Sequence, residues 1–402
     1  MTKSRLLFLC LSFVIVVPIL AGSILAATTR DEPGRDSFEQ YYAVFDATAG
    51  RVKNDYVDPT QEKELLSQAL DGVTEALDPF SAYIPAEAGP AGAQARDRAV
   101  RRSGLLLLKE NGILYVAGIA PGSAAAGSEV RLGDVIAEIA GQPTRVMPIW
   151  KAHELLAADG KSSLNLKAVR LGEMKSVTVP LTAPVDPAPA LREEQGVGVL
   201  RVVSLEPAAL TQLEKLVEEA NTRHYSRLVI DLRGVLTGDP EAAYKTAGLF
   251  VRGELGSLVR RGNKVETFTS SKEPRWQGRV VVLINHSTLG AAEVLAAVLK
   301  QKAAAQLVGQ RSFGFAGHQT LAPLSAGGQL LYTDGFYTGP DGEPLRKGLT
   351  PDSRVEELPL EPVSEGTEPP SPSDTVLKKG LEVVLGDAGA TASKASESKV
   401  AS

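Results

Sequence analysis

Two segments in the last third of the chain place hydroxyl and imidazole side chains close together. NHSTLGAAE contains the neighbours His286 and Ser287, and GQRSFGFAGHQ contains His318 as its last residue but one. A serine paired with a histidine base is a common nucleophile arrangement in hydrolases. Ser287 with His286 or His318 is therefore a chemical hypothesis. The alternative is that Ser287 and Thr288 only cap the helix that follows.

Other chemistries find little support in the composition. The one cysteine, Cys10, lies in the N-terminal apolar run, so we expect no disulfide and no thiolate site in the folded part. There are four histidines, and no two of them have a spacing suited to a metal on one helix face. We expect neither a metal nor a cofactor. The net charge of -5 gives no electrostatic reason to expect nucleic acid as a partner.

The N-terminus has the layout of an export signal. Lys3 and Arg5 precede an apolar stretch that runs to about Ala27. Cleavage after Ser23 fits the small-residue rule, and the uncut stretch is long enough to span a bilayer. We predict that residues 1–27 are a signal peptide or a membrane anchor. The protein is then exported, and is either periplasmic or anchored to the outer face of the cytoplasmic membrane.

The pattern of apolar residues predicts a multidomain α/β protein. Helical periodicity dominates 37–97, and short β-type runs with Gly and Pro turns dominate 98–183. In 190–358 strands such as LVIDLRG and RVVVLIN alternate with helices such as AAEVLAAVLKQ, which predicts a sheet covered on both faces. Residues 359–402 are rich in Pro, Ser and Ala, so we expect a largely disordered tail with a short helix at 375–385.

The β-rich region resembles a PDZ domain of the bacterial protease type. IAPGSAAAGSEVRLGDVIAEIAGQPT carries the resemblance, and SGLLLL stands where such domains have a carboxylate-binding loop. The resemblance implies that Ser103, Gly104, Leu105 and Leu106 bind the C-terminus of a peptide, which adds as a strand to the sheet edge. The alternative is that these leucines belong only to a core strand.

The motif order over most of the chain resembles that of the C-terminal processing (tail-specific) serine peptidases. Those enzymes carry YVDP, LDPHS-x-Y, an internal PDZ domain, DLR-x-NPGG, a serine motif, a lysine motif and KG-x-TPD, on a core with a ClpP/crotonase-like fold. The matching segments are YVDP (56–59), LDPFSAY (77–83), DLRGVLTG (231–238), NHSTLGAAE (285–293), GQRSFGFAGHQ (309–319) and KGLTPD (347–352).

The catalytic positions of this family are altered in the present chain. The family's serine stands three residues before a glutamate, and Glu293 therefore assigns the nucleophile position to Gly290. The lysine position is Phe315, twenty-five residues later, as the family spacing requires, and the nearby Gln319 is retained. The oxyanion-loop sequence NPGG of the family is VLTG in this chain, so Gly238 is the one glycine of this loop that is retained.

The resemblance therefore implies a catalytically impaired homologue that acts as an exported peptide-binding or scaffolding protein. Its expected partners are C-terminal tails of exported proteins or an active peptidase relative. Membrane anchoring through the N-terminus is an open alternative to signal cleavage. The alternative function is an active serine-type endopeptidase with a relocated nucleophile, and the sequence leaves open whether the chain is an enzyme. A structural envelope protein is a third class.

Overall fold

The computed structural model describes residues 35–181, 188–262, 264–325, 327–355 and 374–386. The predicted signal or anchor at 1–27 lies outside these residues, as does most of the predicted tail at 359–402. Within the described ranges, no helix is long and apolar enough to cross a membrane.

Residues 35–67 belong to a compact unit that ends at Ser67. It contains helix α1 (Arg35–Asp55) and the beginning of helix α2 (Glu62–Glu75). The YVDP segment between them is not helical, as expected because Pro59 disfavours helix at the residue before it. The helical segment predicted at 37–97 is therefore divided between two units.

The second unit begins within α2 and continues through short elements. Strand β1 (Ala82–Ile84) is followed by helices α3 (Gly89–Ala93) and α4 (Ala95–Ser103). Ala95, Ala99 and Val100 on α4 are buried, which fixes this helix against the sheet that follows. Helix α4 ends at Gly104, whose φ of 78° is a left-handed cap that glycine adopts without strain.

A small antiparallel sheet, hereafter the small sheet, occupies the region predicted to be β-rich. Its strand order is β2-β3-β4-β6-β7, with β5 beside β4, and helix α5 packs into the same apolar core. The elements are β2 (Leu105–Glu110), β3 (Ile113–Ile119), β4 (Val135–Ile139), β5 (Gln142–Pro143), α5 (Ile149–Ala157), β6 (Ser163–Arg170) and β7 (Glu173–Pro180).

Tight turns set the register of the small sheet. Asn111 and Gly112 join β2 to β3, and both have positive φ, 51° and 75°. That conformation is the two-residue hairpin turn that Asn-Gly favours. Leu171 and Gly172 repeat it between β6 and β7, with φ of 51° and 83°.

A six-stranded sheet forms the centre of the second unit. Its order is β17-β14-β13-β10-β9-β8, and every pair is parallel except β8–β9. Helices α6 to α8 pack on one face and α9 on the other. The elements are β8 (Ala190–Glu194), β9 (Val197–Arg201), α6 (Pro207–Thr222), β10 (Arg227–Asp231), α7 (Pro240–Ala247), β13 (Arg279–Ile284), α8 (Ala291–Lys302), β14 (Gln306–Gly309), β17 (Ser353–Arg354) and α9 (Thr375–Gly386).

Alternation along the central strands explains why both faces are covered. In β10, Leu228 and Ile230 join the cluster under α6 to α8, whereas Val229 joins the cluster under α9. The helix predicted at 375–385 therefore belongs to the folded core, because Val376 and Leu381 are buried against this sheet.

A second core sheet has the order β1-β16-β11-β12, with β15 paired to β16. Its other strands are β11 (Gly253–Arg260), β12 (Lys264–Ser270), β15 (Gly317–Pro323) and β16 (Gln329–Tyr337). The two core sheets and their helices make this unit a mixed α/β structure, in agreement with the predicted class.

Candidate active site

The predicted nucleophile position, Gly290, lies in a sharp turn between strand β13 and helix α8. Its φ and ψ are 57° and -110°. This backbone conformation is strained for a residue with a side chain, and a strained strand-to-helix turn presents the nucleophile in many hydrolases. A Cβ built on Gly290 would find within 4 Å only the carbonyl oxygen of Phe315, at 3.7 Å. The turn keeps the backbone and the space for a nucleophile, but the side chain supplies no oxygen.

Glu293 holds this turn and the lysine-position loop together. Its Oε1 accepts hydrogen bonds from Ser312 Oγ at 2.5 Å and from Gly314 N at 2.6 Å. Its Oε2 accepts from Phe315 N at 2.9 Å and Gly290 N at 3.1 Å. Burial raises the pKa of the Glu293 carboxyl to about 7, although the four donors act in the opposite direction. One buried carboxyl group thus fixes the backbone of both catalytic positions.

Phe315, at the predicted lysine position, belongs to an aromatic cluster of Phe80, Phe313, Phe315 and Phe336. Its ring stacks on Phe80 with centroids 4.2 Å apart and planes 23° apart, and it meets the edge of Phe336 at 5.5 Å. Aromatic pairs of this kind stabilise a fold by about 0.5–1.5 kcal/mol beyond burial alone. Apolar surface therefore occupies the place in which the family motif would position an amine.

The loop at the predicted oxyanion position packs tightly against its surroundings. Val235 is fully buried. The side chain of Leu236 lies against β3 so closely that a Cβ on Gly118 would be 2.5 Å from Leu236 Cδ2. A Cβ on Gly238 would be 2.8 Å from that of Leu205. This loop therefore connects the core to the small sheet through apolar packing.

The structure does not bring the alternative Ser–His candidates into contact. Ser287 is buried, and its backbone N–H donates to Asn285 Oδ1 at 3.1 Å. His286 is exposed, and His318 Nδ1 lies 2.5 Å from Asp334 Oδ1. Among the described residues, no hydrogen bond joins Ser287 to either imidazole. The hypothesis of a relocated dyad gains no geometric support.

The alternative prediction was that Ser287 and Thr288 cap the helix that follows, but Thr288 supports the turn before the helix instead. Thr288 Oγ1 accepts a hydrogen bond from Asn285 N at 3.0 Å and donates to Leu232 O at 3.1 Å. These contacts fix the loop after β13. The helix itself begins after Gly290, so Thr288 stabilises the preceding turn and is not the N-cap.

A cleft of about 130 Å³ lies beside Gly290. Gln319 bridges part of its wall, because its Nε2 donates to Phe80 O at 2.8 Å and its Oε1 accepts from Arg96 Nη1 at 2.8 Å. The retained glutamine therefore joins α4, β15 and the segment before β1. In the part of the chain that the structure describes, no group of three or more His, Cys, Asp or Glu side chains could hold a metal ion.

The loop predicted to capture a peptide carboxylate, Ser103–Leu106, is closed in this structure. Ser103 and Leu105 are fully buried. The Gly104 amide donates to Val100 O at 2.8 Å, and the Leu105 amide donates to Ser103 Oγ at 3.0 Å. Carboxylate capture needs free backbone amides, and these two are engaged within the chain. Peptide binding by this loop stays a prediction, and it requires the end of α4 to open.

The edge of β2 is also engaged, through a buried histidine of α5. His153 Nε2 lies 2.9 Å from the carbonyl oxygen of Leu107, so this nitrogen carries the proton. Burial lowers the pKa of the imidazole from 6.5 to about 4. Between those values the unfolded chain binds more protons than the folded chain, so the free energy of unfolding falls as pH drops, by roughly 3 kcal/mol in total.

Replacing the titrating group tests this contact. His153→Gln keeps an N–H donor for Leu107 O but cannot be protonated. In urea titrations from about pH 7 to about pH 4, we expect the natural chain to lose stability relative to the variant, by roughly 3 kcal/mol over the whole range. Two curves that stay parallel across this range would contradict a buried neutral imidazole.

Comparison with known proteins finds a matching family model and several similar proteins. Residues 196–355 match the family model described as "Peptidase family S41". The carboxy-terminal-processing protease of Bartonella bacilliformis is 26% identical over 349 residues, which cover 84% of this chain and 79% of the relative. The carboxy-terminal processing protease CtpA of Bacillus subtilis is 23% identical over 314 residues, which cover 76% and 67%. This chain is homologous to carboxy-terminal processing proteases.

The fold is shared with a solved member of this group of proteases. The photosystem II D1 C-terminal processing protease superposes with a TM-score of 0.63 over 78% of this chain and 86% of that one, at 21% identity. At this level of identity the likeness concerns the fold alone. Whether the present chain is active depends on its own side chains.

Sequence reasoning missed two features of this site. The first is the stacking of Phe80 on Phe315. The available signal was that Phe80 stands where the family motif LDPHS has histidine. The four hydrogen bonds to Glu293 were missed as well. A glutamate in an otherwise apolar helix sequence, AAEVLAAVL, was the available signal for a buried acceptor.

Proposed function

We propose that this chain is a non-cleaving homologue of carboxy-terminal processing proteases that binds peptide segments of exported proteins. The observation that carries the proposal is the pair of side chains at the catalytic positions: hydrogen at Gly290, and at Phe315 a phenyl ring stacked 4.2 Å from Phe80. Acyl transfer needs a nucleophile and a base. Loss of a serine nucleophile alone lowers turnover about a millionfold, or roughly 8 kcal/mol of barrier.

We assign peptide binding first to the cleft beside Gly290, since its wall keeps both apolar and polar side chains. Leu236 and Phe315 offer apolar surface, and Thr237 and Gln319 offer polar groups. The region 98–183, proposed as a PDZ-type domain, is the second binding element. The proposed location is outside the cytoplasm, and the proposed partners are exported proteins with accessible tails or an active peptidase relative.

The first test asks whether the chain cleaves anything. We expect no cleavage when the purified protein is incubated with an unstructured protein that has an apolar C-terminus, because no hydroxyl–base pair is present at Gly290 or Ser287. Mass spectrometry of the substrate measures the result, with Ser287→Ala as the matched control. Cleavage by the natural chain that this substitution abolishes would establish the alternative function, an endopeptidase with a relocated nucleophile.

The second test asks where the peptide binds. Because the amides of Gly104 and Leu105 are engaged, we expect apolar-tailed peptides with a free carboxylate and with an amidated end to bind with affinities within about twofold. Fluorescence anisotropy measures both. A preference of roughly tenfold or more for the free acid would show that the Ser103–Leu106 loop opens and captures the carboxylate, and would move the site from the cleft to that loop.

A further inference from the structure

A second cleft, larger than the one beside Gly290, is lined by a different set of residues. Its volume is about 370 Å³, and its walls come from α6, α7, β12 and the segment after β12. Leu210, Tyr244, Leu249 and Phe268 give it an apolar lining, and the rings of Tyr244 and Phe268 stack with centroids 4.5 Å apart. This size lies within the usual range for sites that hold small ligands or peptide side chains. None of these residues belongs to the site described above.

The strand that borders this cleft has an open edge. β12 is the last strand in the order β1-β16-β11-β12, and among the described residues it pairs only with β11. Every second residue of such a strand presents its N–H and C=O groups outward, which makes the edge a template for another extended chain. Val265, Thr267 and Thr269 are exposed along it. The second half of β12, from Thr267 to Ser270, carries no charge that would discourage pairing.

The charges at the cleft leave two lysines without partners. Arg275 is paired with Glu214 and Glu218 on α6. Lys245 on α7 and Lys272 after β12 line the same cleft and make no ion pair in the part of the chain that the structure describes.

Other acidic groups at the cleft do not neutralise these two lysines directly. Glu273 pairs with Arg252, and Glu241 lies in the first turn of α7, one turn before Lys245. The end of α7 lies against the end of β12, since a Cβ on Gly248 would be 2.9 Å from Ser270 Oγ. The two ammonium groups are therefore presented from adjacent segments.

We propose that this place, hereafter the β12 cleft, docks an extended segment of a partner protein by strand addition to β12. An apolar side chain of the segment enters the cleft over Phe268, and an acidic side chain of the segment pairs with Lys245 and Lys272. The open strand edge favours an extended backbone, and the two exposed lysines favour a carboxylate. This inference does not depend on the loss of the nucleophile at Gly290.

A designed peptide serves as the probe. It is a fluorescein-labelled nonapeptide that alternates Val and Thr and ends in two aspartates, with its C-terminus amidated. We expect the natural chain to bind it with a Kd below about 100 μM in fluorescence anisotropy. Lys245→Glu with Lys272→Glu is expected to weaken binding roughly tenfold or more, because two attractive contacts become repulsive.

Matched controls separate local from general charge effects. Lys215→Glu with Lys302→Glu makes the same change in net charge at exposed positions outside the cleft, and should alter Kd by no more than about twofold. A peptide with proline at alternate positions should lose measurable binding, because proline cannot pair with a strand edge.

The inference would be overturned by no binding of the probe at about 1 mM, by an equal loss in both pairs of lysine variants, or by undiminished binding of the proline peptide. The probe could also bind equally well to the Lys245 and Lys272 variants while the apolar-tailed peptide of the earlier test competes with it. That result would overturn this inference and leave the proposed function standing.

Discussion

The double variant Gly290→Ser with Phe315→Lys is expected to cleave an unstructured, apolar-tailed peptide about a thousandfold faster than the natural chain. A serine nucleophile with its base contributes about a millionfold to turnover in serine proteases. An impaired oxyanion loop removes about a hundred- to a thousandfold, and the VLTG loop at Val235–Gly238 remains altered in the variant. If the oxyanion loop costs the larger of these factors, about three orders of magnitude of rate enhancement remain.

The local structure is favourable to both substitutions. The backbone at Gly290 already has the φ of 57° and ψ of -110° of a strained nucleophile turn, so serine costs about 1–3 kcal/mol of strain and needs no rearrangement. Its Cβ meets no atom closer than 3.7 Å. A lysine at position 315 would lie against the rings of Phe80 and Phe336. Desolvation there lowers the pKa of an amine, as a general base requires.

The two single variants are the controls for this experiment. Gly290→Ser lacks the base and Phe315→Lys lacks the nucleophile, so each should stay near the rate of the natural chain. Labelling by a serine-directed fluorophosphonate should likewise appear only in the double variant. Circular dichroism establishes that all three variants are folded. A folded double variant with no gain in rate and no labelling would show that these two positions are not the family's nucleophile and base positions.

Local sequence signals were sufficient for most of the elements around this site. RVVVLIN and AAEVLAAVLKQ predict a buried strand and a helix, and the structure has β13 at Arg279–Ile284 and α8 at Ala291–Lys302. Asn111-Gly112 forms a hairpin turn of the type that this dipeptide favours. Such elements follow from periodicity and turn chemistry within a few residues of sequence.

Contacts between distant segments could not be obtained in this way. Phe80 and Phe315 stack although they lie in different motifs, and nothing in either motif alone indicates the other ring. The same holds for His153 and the Leu107 carbonyl. His286 adjoins Ser287 in sequence, yet no hydrogen bond joins the two side chains among the described residues, and His318 pairs with Asp334 on β16. Sequence proximity was thus a poor guide to which base could reach which hydroxyl, because tertiary packing decides those distances.

Glu293→Leu is expected to lower the free energy of unfolding by about 4 kcal/mol or more. The substitution removes the carboxylate that accepts hydrogen bonds from four donors: Ser312 Oγ and the amides of Gly290, Gly314 and Phe315. Each buried donor left without an acceptor costs about 1–3 kcal/mol. The leucine relieves the desolvation of a buried carboxyl group but supplies no acceptor. Urea denaturation at about pH 8, where the carboxyl is ionised in both states, measures the loss.

A graded series separates lost acceptors from lost packing. Glu293→Gln keeps one oxygen, so it should retain two of the four hydrogen bonds and cost less than Glu293→Leu. Glu218 is an exposed residue of α6 that pairs with Arg275. Glu218→Gln should change the free energy of unfolding by no more than about 0.5 kcal/mol. If Glu293→Leu proved as mild as Glu218→Gln, the buried carboxyl would not be what holds Gly290 and Phe315 in place. Both catalytic positions would then depend on the aromatic cluster alone, and Phe80→Ala would become the more damaging substitution.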